Sequence, residues 1–471
     1  MQRTALVYGL AASTLAGAFF LAPRLKPEPL PLPVSSGQSA VTELVYSDGV
    51  VAVTARLDRS HLAAGSDEPV WLDLSIKASG MQQRAPLTAV LVIDRSGSMA
   101  GDKIDAARMA AERFVSGLRD GDALGVITFG TDVTVDLPIS PIDAATRTRA
   151  LGVVRRIEEG GGTNIDAGMS TARQLLSGAD LSGRVARVVL LSDGRPTEGD
   201  RREATLVGHA AGLRSQGIVT STLGLGLDYN EDLMEHMAVE GGGRYHYLRH
   251  GAQLAQILSD ELAQASAVIA AGAKLYLPTT IAGLRVLEVP GARVHTAANH
   301  LAVDIGDLAA GEERRVLVKL QVSASSDAVT FTAPDLVYRK ILANADALVA
   351  NKADPFRMIA VAATPEGLAM LEQGRRDDVR VRVLQMEASL ALTESMQQFA
   401  AGDAPAARAK LTENKVHLHE FAKRTGNAML AAEADNFDKV LQVVNAGPSA
   451  NSEGAQDLIK QQKARAFQLR R

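Results

Sequence analysis

Leu87-Thr88-Ala89-Val90-Leu91-Val92-Ile93-Asp94 runs straight into Arg95-Ser96-Gly97-Ser98, and Val185–Asp193 (VARVVLLSD) ends in the same way, in Asp193-Gly194. A strand with one wet face alternates apolar with polar residues. These two runs scarcely alternate, which is the mark of strands buried on both faces of a parallel sheet. Strand and helix patterns alternate around them. Lys103–Leu118 places Ile104, Ala107, Ala111, Phe114 and Val115 at helical spacing. Ala123–Phe129 and Val133–Ile139 read as strands, and Ala144–Ile157 and Asp166–Leu176 as helices. Beyond the second run come a helix at Thr205–Ser215, a strand at Val219–Gly226, a helix at Glu231–Met237, a strand at Arg244–Leu248 and a closing helix at Ala252–Ala270. The expected core is therefore an α/β domain over residues 86–270, with a doubly wound, mainly parallel sheet of six strands covered by helices on both faces.

The flanks differ in pattern. Residues 41–85 hold three strand-like stretches, Val41–Tyr46, Val50–Ala55 and Val70–Ile76, and residues 271–346 return to strands such as Leu301–Ile305 and Arg315–Val322. Three strands alone make a marginal sheet, so the two flanks are expected to pair into one β-sandwich in which the α/β domain is inserted. Two separate small β modules are the alternative. Residues 347–471 read as a helical region, with Gly402-Asp403 separating Leu384–Gln397 from Ala406–Phe421 in the manner of a helical hairpin. Residues 1–40 combine the apolar stretch Ala5–Ala22, bounded by Arg3, Arg24 and Lys26, with Pro23, Pro27, Pro29, Pro31 and Pro33. Eighteen helical residues span about 27 Å, near a thin bilayer's hydrocarbon depth, and Ala16-Gly17-Ala18 would suit a signal peptidase. A membrane anchor or a signal peptide followed by a semi-rigid proline spacer is expected, and with it an exported protein, membrane-anchored or periplasmic to extracellular.

In an open parallel sheet, ligands gather outside the carboxyl ends of the strands. Asp94, Ser96 and Ser98 fall at one such end and Asp193 at another. Gly160-Gly161-Gly162 gives the chain the freedom to bring Thr163 to the same place. The set offers hydroxyl and carboxylate oxygens and no soft donor, which suits a hard cation. With only two carboxylates, Mg²⁺ or Mn²⁺ fits better than Ca²⁺. Such an under-charged shell leaves room for one more oxygen, and a partner's Asp or Glu carboxylate is the natural donor. Arg95, Asn164, Gly194 and Arg195 would then form the rim that a ligand meets. Caps and turns are the plainer alternative for strand-end aspartates, and solvation for the arginines.

Asp94-x-Ser96-x-Ser98, Thr163 and Asp193-Gly194 together resemble the metal-ion-dependent adhesion site of von Willebrand factor A domains, over about 185 of the 471 residues. The resemblance implies a Rossmann-like fold and a binding rather than catalytic role, with Ser96 and Ser98 touching the metal directly. Asp94, Thr163 and Asp193 would act directly or through water. It also implies that the last helix of the domain can slide when the metal rearranges. An adhesion or scaffold module for a protein ligand is the function expected. An A-domain subunit of an ATPase-linked, chaperone-like complex and a structural cell-surface protein are the alternatives.

Composition narrows the choice further. The absence of cysteine removes disulfides, thiolate catalysis and zinc–thiolate sites. A net charge of −4 gives no electrostatic reason to bind nucleic acid. Ser96 does not stand in G-x-S-x-G, because Asp94 and Ser98 occupy the glycine positions, and Gly224-Leu225-Gly226 lacks the rest of a dinucleotide fingerprint. His417 and His419, two apart on an expected helix, point to different faces. No enzymatic activity is expected.

Overall fold

The computed structural model describes residues 39–79, 84–227, 229–279, 281, 283–297, 299–324, 327–352, 354–446 and 452–469. The apolar segment Ala5–Ala22 and the proline spacer fall outside them. Among the described residues no helix is long and apolar enough to cross a membrane.

Four strands precede the central domain: β1 (Glu43–Ser47), β2 (Val51–Leu57), β3 (His61–Ala63) and β4 (Asp67–Ala78). The central domain then runs β5 (Leu87–Asp94), α1 (Asp102–Gly117), β6 (Ala123–Phe129), β7 (Val133–Pro141), α2 (Ala144–Arg155) and α3 (Ile165–Ser177). It continues through β8 (Val185–Ser192), α4 (Glu203–Ser215), β9 (Ile218–Leu225), α5 (Glu231–Gly241), β10 (Gly242–Leu248) and α6 (Leu254–Ser266). Its sheet has the order β10-β9-β8-β5-β6-β7, parallel except for β7, which turns back against β6. Every residue of β5, β6 and β9 is buried. Leu91 and Ile93 point into the core shared with α1, α2 and α6, whereas Val90 and Val92 point into the core under α3, α4 and α5. This is the doubly wound arrangement that the non-alternating runs require.

Nine strands follow: β11 (Val268–Pro278), β12 (Leu284–Glu288), β13 (Val294–Ala297), β14 (His300–Ala309), β15 (Glu313–Ser323), β16 (Ala328–Phe331), β17 (Asp335–Lys340), β18 (Ala345–Val349) and β19 (Phe356–Val361). One five-stranded sheet has the order β1-β2-β4-β15-β12, so strands from both sides of the α/β domain share it. β4 and β15 pair antiparallel from Lys77 with Glu313 to Asp67 with Ser323. A second sheet, β13-β14-β11-β17-β18, faces the first across one apolar core that contains Val53, Leu74, Leu275, Val303 and Val318. The α/β domain is thus inserted in a β-sandwich. Ion pairs tie insert to sandwich, among them Arg187 of β8 with Asp307 at 2.9 Å, Arg214 of α4 with Asp304 at 2.8 Å and Glu240 of α5 with Arg293 at 3.1 Å.

Three sequence expectations change. The closing helix stops at Ser266 rather than Ala270, because Val268 and Ile269 already belong to β11, whose Val268 pairs with Ala309 of β14. The region expected to be helical from residue 347 opens with strand: β18 reaches Val349, and β19 pairs antiparallel with β16 and parallel with β3. β3 itself was absent from the three strands expected before the insert. Both β3 and β19 are short and gain their hydrogen bonds from partners remote in sequence, so local pattern cannot reveal them. Helices begin only at α7 (Pro365–Gln373), followed by α8 (Asp377–Ala400), α9 (Ala404–Thr425), α10 (Ala428–Asn445) and α11 (Glu453–Leu469). Asp403 caps α9 by accepting from the Ala406 amide at 3.0 Å, while Gly402, at φ +86°, supplies the left-handed turn before it.

Asp122, at the entrance to β6, pins the start of β5. Its fully buried carboxylate accepts from the Leu87 and Arg119 amides, each at 2.8 Å, and from both terminal nitrogens of Arg84. Burial alone would raise its pKa, but these donors outweigh burial and hold it below the ordinary value. A depressed carboxylate stabilises the fold above its unfolded pKa and loses that contribution as pH falls through the folded value. Asp122→Ala should lower stability by about 3–5 kcal/mol at neutral pH, as expected for an unpaired buried partner, and the deficit should shrink below about pH 4. Urea midpoints measured across pH test this.

Candidate metal centre

The five residues singled out from the sequence lie at the carboxyl edge of β5 and β8. Asp94 is the last residue of β5, and Asp193 follows β8 directly. Both carboxylates are buried, with 0% exposure, as are Ser96 and Thr163, whereas Ser98 is exposed. Burying two neighbouring acids is costly unless donors reach them. Asp94 Oδ1 accepts from the Ser96 amide at 2.8 Å and Oδ2 from the Ser192 hydroxyl at 2.6 Å. Asp193 Oδ1 accepts from Ser98 Oγ at 2.8 Å, and Oδ2 from Lys103 Nζ at 2.5 Å. The hydroxyls of Ser96 and Ser98 are 3.0 Å apart.

Thr163 arrives from the glycine loop. Its main chain is locked by the Thr197 amide to its carbonyl at 2.9 Å and by its own amide to Thr197 Oγ1 at 2.8 Å. A methyl group placed on Gly194 would lie 3.2 Å from Thr163 Oγ1 and 3.5 Å from Ser98 Oγ, so both hydroxyls flank one buried glycine. The loop reaches this point because Gly161, at φ +83°, packs against the Thr131 backbone too closely for any side chain, and its carbonyl accepts from the Gly97 amide at 3.0 Å.

The rim residues part ways. Asn164 is spent as the cap of α3, accepting from the Ala167 amide at 3.0 Å. Arg95 is half-buried and donates to the Gly160 carbonyl at 3.4 Å, which makes it a brace of the glycine loop. Gly194 is buried, while Arg195 stands exposed beside Asp193. Three contributors were missed in the sequence: Ser192, Lys103 and Thr197. Ser192 was hidden as the last residue of an apolar strand. The spacing of Lys103, five residues past Ser98 at the start of α1, was the available signal.

Burial pushes the Asp94 carboxyl up to about 6, partly countered by the bonds from Ser192 and Ser96 and reinforced by the charge of Asp193. The cluster is therefore short of positive charge. Hydroxyl and carboxylate oxygens of this kind can hold a hard divalent cation, whose charge would relieve the repulsion between the two acids. Each serine hydroxyl here donates to a carboxylate or meets another hydroxyl, so the oxygens converge on one another.

The von Willebrand factor type A domain model matches residues 89–260. A protein of Synechocystis sp. is 27% identical over 276 residues, covering 56% of this chain and 64% of its own. The YfbK protein of Escherichia coli K12 is 25% identical over 273 residues, 56% of this chain and 47% of its own. Inter-alpha-trypsin inhibitor heavy chain H4 of Homo sapiens is 31% identical over 181 residues, 37% of this chain and 20% of its own. The chain thus spans less than two thirds of each of these relatives. Among solved structures, a von Willebrand factor type A protein of Catenulispora acidiphila superposes with a TM-score of 0.69 at 17% identity, covering 88% of this chain and 98% of that one. The ArnB paralog VWA2 of Sulfolobus acidocaldarius follows at 0.58 and 17%, covering 90% and 99%. At such identities the likeness is one of fold, and it extends through the sandwich and the helices.

Ser192 supports Asp94 and lies away from the exposed rim. Ser192→Ala should cost about 1–3 kcal/mol, because a buried carboxylate oxygen loses its donor; thermal unfolding of the two proteins in chelator reads the difference.

Proposed function

The chain belongs to the von Willebrand factor type A family through residues 89–260, and from that premise we propose that it is a divalent-metal-dependent protein-binding module. The observation that carries this reading is the meeting of Ser96, Ser98 and Asp193, with Asp94 directly behind and Thr163 alongside, at one edge of the sheet. Ser96 and Ser98 would ligate Mg²⁺ or Mn²⁺ through their hydroxyls. Asp94, Thr163 and Asp193 would ligate it directly or through water. A shell with two carboxylates and three neutral oxygens leaves the cation electrophilic, and a carboxylate of a partner protein is the ligand that best completes it. Ser98 is the exposed donor, so the partner enters over Ser98 and Arg195.

The role is adhesion or scaffolding, outside the cytoplasm, with the segment before residue 39 carrying export or anchoring. Binding rather than chemistry is the reading that the match to a von Willebrand factor type A domain supports.

Isothermal titration of the full chain with MgCl₂ and MnCl₂ should show one site, lost in Asp94→Ala and weakened at least about tenfold in Ser96→Ala, since losing even a supporting partner of a metal ligand costs about that much. Affinity capture of partners from an envelope extract, with and without EDTA, tests the second half of the reading. A partner retained equally by wild type in chelator and by Asp193→Ala would refute metal-mediated binding.

A further inference from the structure

Lys103 is the second residue of α1, a place that runs against helix electrostatics. The amino end of a helix carries partial positive charge and favours acids, as Asp102 and Asp105 in the same turn illustrate. A lysine there is disfavoured unless something draws its ammonium away. Asp193 does so: Lys103 Nζ donates to Asp193 Oδ2 at 2.5 Å and to the Ser98 carbonyl at 3.2 Å. The pair is lopsided. The Asp193 side chain has 0% exposure, whereas that of Lys103 keeps 29%.

The electrostatic balance of the acid cluster falls to this ammonium. Asp94 is met by neutral donors, the Ser96 amide and the Ser192 hydroxyl. Asp193 Oδ1 is met by the Ser98 hydroxyl, also neutral. Among the described residues, Lys103 makes the one ion pair to either acid. Arg95 is turned to the Gly160 carbonyl, and Arg195 stands exposed. Two carboxylates and one ammonium leave the cluster one positive charge short.

We propose that Lys103 is a tethered competitor at the metal centre: its ammonium holds the Asp193 carboxylate that a divalent cation needs, and the cation must displace it. This rests on the metal-binding reading given above. An ammonium and a dication on one carboxylate repel each other strongly where water is scarce, so each weakens the other's hold on Asp193. Charge favours the exchange, because two positive charges replace one beside two acids. The exchange also has an open route, since Lys103 is partly exposed and can swing into water while the buried carboxylate stays in place. While the ion pair is closed Asp193 is engaged, and the apparent affinity for metal falls in proportion to the time it is open. Lys103 thereby sets the cation concentration at which the centre loads, and it steadies the two buried acids when no dication is bound.

The test uses the full chain and Mg²⁺ alone. Isothermal titration with MgCl₂ compares wild type with Lys103→Met and with Lys103→Gln. The second variant keeps a donor for Asp193 without the charge, and it serves if the first fails to fold. Each should bind Mg²⁺ about tenfold more tightly, the gain expected if the ion pair is closed about nine-tenths of the time. Thermal unfolding supplies a second readout. In EDTA each variant should melt below wild type, because a buried carboxylate has lost its counter-charge, and MgCl₂ should raise its melting temperature by more than it raises that of wild type. Variants that bind Mg²⁺ with wild-type affinity would overturn the competition while leaving the metal centre intact. Weaker binding would overturn it as well, and would make Lys103 a support for Asp193. Mg²⁺ binding by the variants alone would support it, with Lys103 closing the centre outright. Binding by neither wild type nor variants would overturn the metal centre, and the competitor with it.

Discussion

Two aspartates, Asp94 and Asp193, end adjacent apolar segments and are wholly withdrawn from solvent. A pair of carboxylates in that position repels itself and is stripped of water, so each oxygen must be met by a donor. Much of the upper edge of the sheet answers this demand. Ser192 and the Ser96 amide meet Asp94, and Ser98 and Lys103 meet Asp193. The first turn after β5 curls so that the Ser96 amide and both serine hydroxyls point inward, and the glycine loop folds down until Thr163 and Gly97 lock it in place. The same shortage of positive charge underlies the proposed affinity for a divalent cation.

The sandwich and the insert are held together by the same logic at the opposite end of the domain. Arg187 and Arg214 leave the α/β domain to meet Asp307 and Asp304 on β14, and Asp307 also accepts from the Gly272 amide at 2.8 Å. These pairs are largely shielded, so breaking one leaves a charge without a partner rather than returning two to water. The insert is therefore rigidly seated at its base. Its loop edge, by contrast, is bordered by α11, whose ion pairs are partly open to solvent.

The domain matched over residues 89–260 is a recurrent α/β scaffold, and a fold of this kind does not by itself specify a ligand. Residues beside the two aspartates have particular tasks. Lys103 occupies Asp193, Arg95 has turned inward to brace Gly160, and Asn164 is committed to capping α3. Of the rim residues read from the sequence, Arg195 alone combines exposure with a side chain that can meet a ligand.

The order of strands and helices in the central domain was legible from the residues alone, because burial on both faces imposes unbroken apolar runs and helical burial imposes its own spacing, both local properties. So were the five oxygen-bearing residues, since parallel strands leave their carboxyl ends on one edge. Beyond reach were β3 and β19, the pairing of β4 with β15, the role of Ser192, the seat of Lys103 and the burial of Lys460 and Lys463. Each depends on a partner tens to hundreds of positions away, and a side chain's donor or acceptor is decided by register and packing rather than by neighbours in the chain. Sequence determined which elements of the central domain form and which oxygen donors stand at their ends; tertiary structure alone decided who meets whom, because contacts across a fold are set by how the elements dock.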